Sequence, residues 1–349
     1  MKILHGMTEI AGQGINTVHG LRNNGYDAVM AVRQPNPWIR DVDIDLGLYG
    51  TTKAGLAKDT LKMIRFAFKA LKKYDVFHCH FAYSLLPRSF DAYLFRLFGL
   101  KCFAEFHGTD IRFIYDPDIE YPYYKANVPE QGFRIRKQKK LNRLLKHVEG
   151  IIIHDYELLP HIPDIGKPVY IVPLRVDIKG ITPCYPSADD AHVPIIVHAP
   201  SNRGKKGTEG ILKLLETVKG DFELVLVENM SHDEAMKVYE KADIIIDQVA
   251  IGTYGVFSIE AMALGKPVVT YVSPESIEKL PEDLPIINSD FDTMAGEIEK
   301  LIGDPALRAE IGRKGRSYVE RYHDNSVVAK QLYEIYEGTN RSNDLLKTL

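Results

Sequence analysis

Gly252-Thr253-Tyr254-Gly255-Val256-Phe257-Ser258-Ile259-Glu260-Ala261-Met262-Ala263-Leu264-Gly265-Lys266-Pro267-Val268-Val269 decides how the chain is read. Two glycines make a turn, a helix begins near Phe257, and Gly265-Lys266-Pro267 breaks it before Val268 opens a strand. Turn, helix, break and strand form one repeat of an open α/β sheet. A helix start offers unpaired N–H groups and a positive dipole end, which suit a phosphate. Tyr254, Gly255, Val256, Phe257 and Ser258 are therefore candidate ligand contacts. Glu260 follows one turn later, where a carboxylate can accept from two ribose hydroxyls. Alone, the segment reads as an ordinary connection.

The segment His198-Ala199-Pro200-Ser201-Asn202-Arg203-Gly204-Lys205-Lys206-Gly207-Thr208 sharpens the reading. It follows an apolar run, Pro194–His198, that reads as the first strand of a second domain. A loop with Asn202, Arg203, Lys206 and Gly207, leading into a helix, is a cationic cradle for a diphosphate. The plain alternative is a solvated basic loop, but open α/β sheets bind ligands at the C-terminal ends of their strands. Asp247 and Gln248 close another strand and are polar candidates for the same pocket, or simple caps of the chain.

These motifs, in this order, resemble the donor half of GT-B glycosyltransferases, specifically family 4. The resemblance implies that Arg203 and Lys206-Gly207 contact a donor diphosphate and that Glu260 holds the ribose. It extends to the first half. Gly12-Gln13-Gly14 resembles the glycine loop beneath the donor phosphates, and Ala104-Glu105-Phe106-His107-Gly108-Thr109-Asp110 resembles the motif whose histidine, here His107, faces the donor sugar. Many members carry two glutamates eight positions apart; here the earlier position is Gly252. The resemblance implies a retaining, hexosyltransferase-like enzyme with a nucleotide-diphosphate sugar as substrate, no cofactor and no obligatory metal. Arg203, Lys206 and His107 are the implied catalytic residues. A nucleotide-sugar epimerase of the same fold, or a silent binding homologue, is the alternative.

The rest of the chain fits an α/β fold. At 349 residues, 45% hydrophobic and 26% charged, it has material for two cores. Lys2–Gly6, Asp27–Val32, Val76–His80, Lys101–His107, Gly150–His154 and Val169–Val172 read as strands, with helical spacing between them. Pro173, Pro183, Pro186 and Pro194 mark a linker, and the pattern then restarts. The expectation is two Rossmann-like domains facing across a cleft, 1–186 and 187–318, with 319–349 a helix returning to the first. The tail from Pro305 to Gly338 reads as one long helical stretch.

Charge divides unevenly. Residues 1–165 carry 23 Lys+Arg against 18 Asp+Glu, and the remainder 21 against 29. Much of the excess lies in 134–147, read as a solvated helix face or, more sharply, as a docking surface for an anionic membrane. The expected partners are a nucleotide sugar and a carbohydrate, lipid-linked or small-molecule acceptor, without nucleic acid. Three scattered cysteines and the absence of a leader or membrane-length run point to the cytoplasm, at most peripheral to the inner membrane face. Asp41-Val42-Asp43-Ile44-Asp45 mimics a calcium loop but has Leu46 where Gly is needed. His78-Cys79-His80 mimics a metal cluster, yet in a strand the two histidines share one face and the cysteine does not. No metal is expected.

Overall fold

The computed structural model describes residues 1–34, 42–125, 127–188, 192–340 and 342–347. It divides into two units: Met1–Ile119, Val128–Arg175 and Asn325–Thr348 form one, and Glu120–Asn127 with Val176–Asp324 the other.

The first unit runs β1 (Lys2–Met7), α1 (Gln13–Asn23), β2 (Asp27–Val32), β3 (Ile44–Asp45), α2 (Lys53–Lys73), β4 (Val76–His80), α3 (Ala92–Phe98), β5 (Lys101–Glu105), α4 (Gln131–Leu145), β6 (Gly150–Ile153) and β7 (Val169–Ile171). Its sheet is ordered β3-β2-β1-β4-β5-β6-β7, and the pairings are parallel. Strands covered on both faces read as continuous apolar runs, as Ile151, Ile152 and Ile153 do. The chain winds outward from β1 to β3, then restarts at β4 on the other side of β1. That reversal is a topological switch point, where ligands of open sheets bind.

The second unit runs β8 (Ile195–His198), α5 (Arg203–Lys206), α6 (Thr208–Leu215), β9 (Glu223–Leu226), α7 (His232–Tyr239), β10 (Ile244–Ile246), α8 (Val256–Ala263), β11 (Val268–Thr270), α9 (Pro274–Ile277), β12 (Ile287–Asn288), α10 (Met294–Gly303) and α11 (Pro305–Tyr322). Its parallel sheet is ordered β12-β11-β10-β8-β9, so its switch point lies between β8 and β10. Ser231 and Glu234 form a capping box that starts α7.

The tail is two helices, not one. α11 stops at Tyr322, Val176 bonds to the His323 carbonyl at 3.0 Å, and α12 (Asn325–Glu337) packs on α1 within the first unit. A Cβ on Gly20 of α1 would lie 2.1 Å from the Asn325 carbonyl oxygen, so glycine permits the close approach. Val328, Leu332 and Tyr336 of α12 complete the core against Val18, Leu21 and Ile3.

The divisions expected at 186/187 and 318/319 fall instead at 175/176 and 324/325. The proline-rich stretch is bound to the second unit: Arg316 donates to the carbonyls of Ile178 at 3.2 Å and Ile181 at 2.7 Å, and Cys184 bonds Leu264 at 2.8 Å. Residues 189–191 of the expected linker, and Asp41 of the acidic run, lie outside the described residues. Asp43 accepts from Arg22 at 2.6 Å and from the Met30 N–H at 2.8 Å, a structural role at the sheet edge. Among the described residues, no helix is long and apolar enough to cross a membrane.

Candidate functional site

In the second unit, β8 and β10 bring the two sequence motifs together, since Ile246 pairs with His198. Asn202 is exposed, and its side-chain oxygen caps α5 by accepting from Lys205 N–H at 3.0 Å. Gly207, at φ +72°, lets α5 turn at once into α6. Buried His198 fastens the base of this loop, with Nδ1 2.9 Å from the Ile246 carbonyl and Nε2 2.8 Å from Thr208 Oγ1. The loop cations are thereby held at the strand ends.

Lys206 Nζ bonds Asp247, whose other oxygen accepts from Ser258 Oγ at 2.6 Å and Gly255 N–H at 3.3 Å. Burial acts to raise the Asp247 pKa, but Lys206, Ser258 and Gly255 together hold it below the ordinary value. An ionised Asp247 thus fixes both the ammonium and the start of α8. Lys206 keeps two N–H donors beyond that pair, and its side chain is 17% exposed. Among the described residues, the backbone N–H groups of Val256, Phe257 and Ser258 have no hydrogen-bond partner. A cation and an open helix N-terminus converge here.

Other expected contacts fare differently. Arg203 is turned toward Glu209 at 2.8 Å and Glu228 at 3.0 Å. Gln248 braces the following turn, bonding the Thr253 carbonyl, the Tyr271 carbonyl at 3.2 Å and the Ile251 N–H at 2.7 Å. Tyr254 sends its hydroxyl into the interior, 3.2 Å from Tyr318 Oη and 3.1 Å from His323 Nε2. Gln248 and the Tyr254 side chain are therefore framework. The sequence could not assign them because a polar strand end serves either purpose. Phe257 rests on Tyr239, with ring centroids 4.8 Å apart. Glu260 accepts from His232 Nε2 at 2.8 Å, and that bond raises the histidine's pKa. His232, the first residue of α7, was not foreseen, because its partner lies 28 positions away. Gly252 has φ +81°, a turn conformation that a glutamate would adopt only with strain.

The first unit's switch point is built otherwise. Gly12, at φ +76°, precedes α1, but Glu9 occupies the helix start and accepts from Ile15 N–H at 2.8 Å. A Cβ on Gly14 would lie 2.7 Å from a Glu9 oxygen. The glycine loop expected beneath phosphates thus surrounds a buried carboxyl, whose pKa burial raises. Sequence reading missed Glu9.

Under this switch point lies a buried cluster. His5 comes from β1, His78 and His80 from β4, Glu105 from β5 and Tyr336 from α12. Arg175 lies 2.6 Å from Glu105 and holds its pKa well down against the effect of burial, with help from His107, His78 and His80. His107, just past β5, is partly exposed, and its Nε2 is 3.1 Å from His80 Nδ1. Ligand-type atoms of His5, His78 and His80, and of His80, Glu105 and His107, lie within 4.8 Å of one another. Yet both ring nitrogens of the first three are already hydrogen-bonded, and Arg175 competes for Glu105. A cation fits this set poorly.

Known proteins resemble this chain in part of its sequence and in its fold. Residues 213–334, about a third of the chain, match the family described as glycosyl transferase-like. Over 116 residues the chain is 29% identical to the capsular polysaccharide biosynthesis glycosyltransferase CapM of Staphylococcus aureus; this covers 32% of the chain and 30% of that relative. Among solved structures, a sucrose-phosphate synthase from Thermosynechococcus elongatus matches with TM-score 0.68 and 17% identity, covering 96% of this chain and 98% of that one. A glycosyltransferase from Rickettsia africae gives 0.65 and 15%, covering 97% of each. Anabaena HepE, solved with UDP, gives 0.61 and 12%, covering 97% and 100%. The chain has the GT-B fold, as its motifs imply.

Proposed function

We propose that this chain is a glycosyltransferase of the family 4 kind, moving a hexose from a nucleoside-diphosphate donor to a hydroxyl acceptor with retention and without a metal. The observation that carries the reading is the Lys206–Asp247–Ser258 arrangement against the open N-terminus of α8, with Glu260 one turn further along. Breaking the sugar–phosphate bond leaves negative charge on the diphosphate, and preorganised donors lower the barrier where that charge develops. Lys206 and the N–H groups of Val256, Phe257 and Ser258 supply them. Arg203 joins if the diphosphate displaces Glu209, whose side chain is 77% exposed. Glu260 takes the ribose hydroxyls. In a front-side mechanism the acceptor oxygen bonds the anomeric carbon, the diphosphate leaves on the same face, and a phosphate oxygen receives the acceptor's proton.

The solved neighbour HepE was crystallised with UDP-glucose, so uridine donors are the first to test. In the first unit a cavity of about 380 Å³, lined by Met7, Thr8, Arg33, Tyr83 and neighbouring side chains, suits an acceptor. α4, with exposed Phe133 and Ile135 among the basic residues of 134–147, is the surface for peripheral contact with an anionic membrane. Calorimetry with nucleoside diphosphates, followed by turnover in EDTA, tests the proposal. Micromolar-range binding that Lys206→Ala weakens, with turnover retained in chelator, is expected; no nucleotide binding by the folded protein would refute it.

A further inference from the structure

The buried histidines under the β1–β4 switch point form a directed chain. It begins at Glu105, ionised beside Arg175, where a carboxylate can only accept. His78, 2.8 Å away, must therefore carry its proton on Nε2. Its bare Nδ1 takes the Tyr336 hydroxyl hydrogen at 2.5 Å. With that hydrogen used, the Tyr336 oxygen accepts from His5 Nε2–H at 3.2 Å. His5 Nδ1 is then bare and takes His80 Nε2–H at 3.1 Å. His80 Nδ1 in turn takes Nε2–H of His107 at 3.1 Å. Every link has one hydrogen and one lone pair.

Running the chain the other way would either put two protons on His78 or turn its lone pair toward the carboxylate. Burial opposes the first, since it keeps the pKa values of His5 and His107 well below the ordinary value and that of His78 at about 4. This order turns the His80 Nδ1 lone pair toward Glu105 at 3.2 Å, whereas the opposite order would turn that of His78 toward it at 2.8 Å; the chain keeps the shorter, hydrogen-bonded contact and gives up the longer one. Other titratable groups near the chain are Arg175 beside Glu105, Glu9, Asp110, which accepts from the His107 backbone N–H at 3.0 Å, Lys101, which donates to the Tyr336 carbonyl at 2.9 Å, and the His154 ring, 5.8 Å from that of His107. Among the described residues, His107 Nδ1 makes no hydrogen bond.

We propose that Glu105, His78, Tyr336, His5 and His80 are positioning residues that lock His107 in the tautomer protonated on Nε2, so that its Nδ1 accepts a hydrogen bond from a ligand hydroxyl. That the ligand is a sugar rests on the glycosyltransferase reading; the tautomer does not. A histidine free to hold its proton on either nitrogen would offer an acceptor only part of the time, and affinity falls with the competent fraction.

Tyr336→Phe keeps the ring but removes the one hydroxyl through which direction passes from His78 to His5. Ring nitrogen–proton correlation spectra of ¹⁵N-labelled protein report the tautomers directly. Expected is a single Nε2–H tautomer for His107 in the wild type and a mixture in Tyr336→Phe, with an unchanged fold by amide spectra. If Tyr336→Phe fails to fold, His5→Asn, which breaks the chain one link further on, takes its place in the same measurement. A wild-type proton on Nδ1, meaning that Glu105 has drawn a proton onto His80 Nδ1, would overturn the proposal. So would an unchanged His107 tautomer in folded Tyr336→Phe. In turnover assays the variant should lose about twofold in kcat/KM for the donor if the tautomers become equally populated, with nucleoside-diphosphate affinity unchanged; an unchanged kcat/KM alongside mixed tautomers would overturn the acceptor role. Absence of any turnover in wild type would instead refute the glycosyltransferase reading and leave the tautomer result standing.

Discussion

The two switch points share a topology and differ in charge. In the second unit, α8 opens toward unsatisfied N–H groups and a lysine pinned by Asp247. In the first, α1 opens onto Glu9, whose carboxyl already takes the Ile15 N–H. Both helices begin after a glycine-containing turn, so glycine spacing alone marks both as phosphate sites. The difference teaches that an anion site needs an unfilled helix start, since a resident carboxylate satisfies the same dipole and repels a second negative group.

The largest effect should come from Lys206→Ala, which removes the cation from the open helix start. Loss of one preorganised donor costs on the order of 3 kcal/mol in comparable sites, so kcat/KM should fall by a factor of about a hundred or more. Steady-state kinetics check this, and a loss below about threefold would place the anion elsewhere. Arg203→Ala should cost less, because in this state its guanidinium is committed to Glu209 and Glu228.

Glu260→Gln should come next. Charge-assisted hydrogen bonds contribute roughly 1.5–3 kcal/mol, so affinity for the nucleoside diphosphate should drop by about ten- to a hundredfold. A 2′-deoxy nucleotide should show a penalty that overlaps with the substitution rather than adding to it. Calorimetry on the four combinations decides; full additivity would return Glu260 to the role of partner for His232.

Gly252→Glu restores the residue spacing seen in many family 4 members but forces a side chain onto φ +81°. It should lower stability by about 1–2 kcal/mol without raising turnover, as measured by urea unfolding and kinetics.

The smallest effect should be that of Glu9→Gln. Folding raises the Glu9 pKa, so the carboxyl contributes stability below the ordinary glutamate value and loses it as pH rises through the folded value. The variant should be the more stable protein near neutral pH, with the gap closing in acid. Denaturation at several pH values tests this. Donor affinity should not change; a marked gain would show that the first switch point also takes phosphate.

Much of the fold was legible because short buried strands and amphipathic helices carry their periods locally. The strands Lys2–Met7, Asp27–Val32 and Val76–His80 emerge within a residue of their reading. So does the start of α8, since a glycine turn before an apolar run is a local signal. The break at His323-Asp324 was not legible, because the helical period continues through it while the His323 carbonyl turns to Val176, a residue far off in the chain. The same holds for His232, whose significance depends on Glu260 lying beside it.

The sequence alone determined the α/β class, the order of elements and the two motifs around Arg203, Lys206 and Glu260, all of which depend on neighbours in the chain. Only the tertiary structure decided which helix start is open and which is filled. It alone showed that Gln248 and Tyr254 serve the framework, and it joined five side chains from β1, β4, β5 and α12 into one proton-ordered chain ending at His107. These outcomes depend on groups as far apart as His5 and Tyr336, which meet only when the sheet closes and α12 packs onto it.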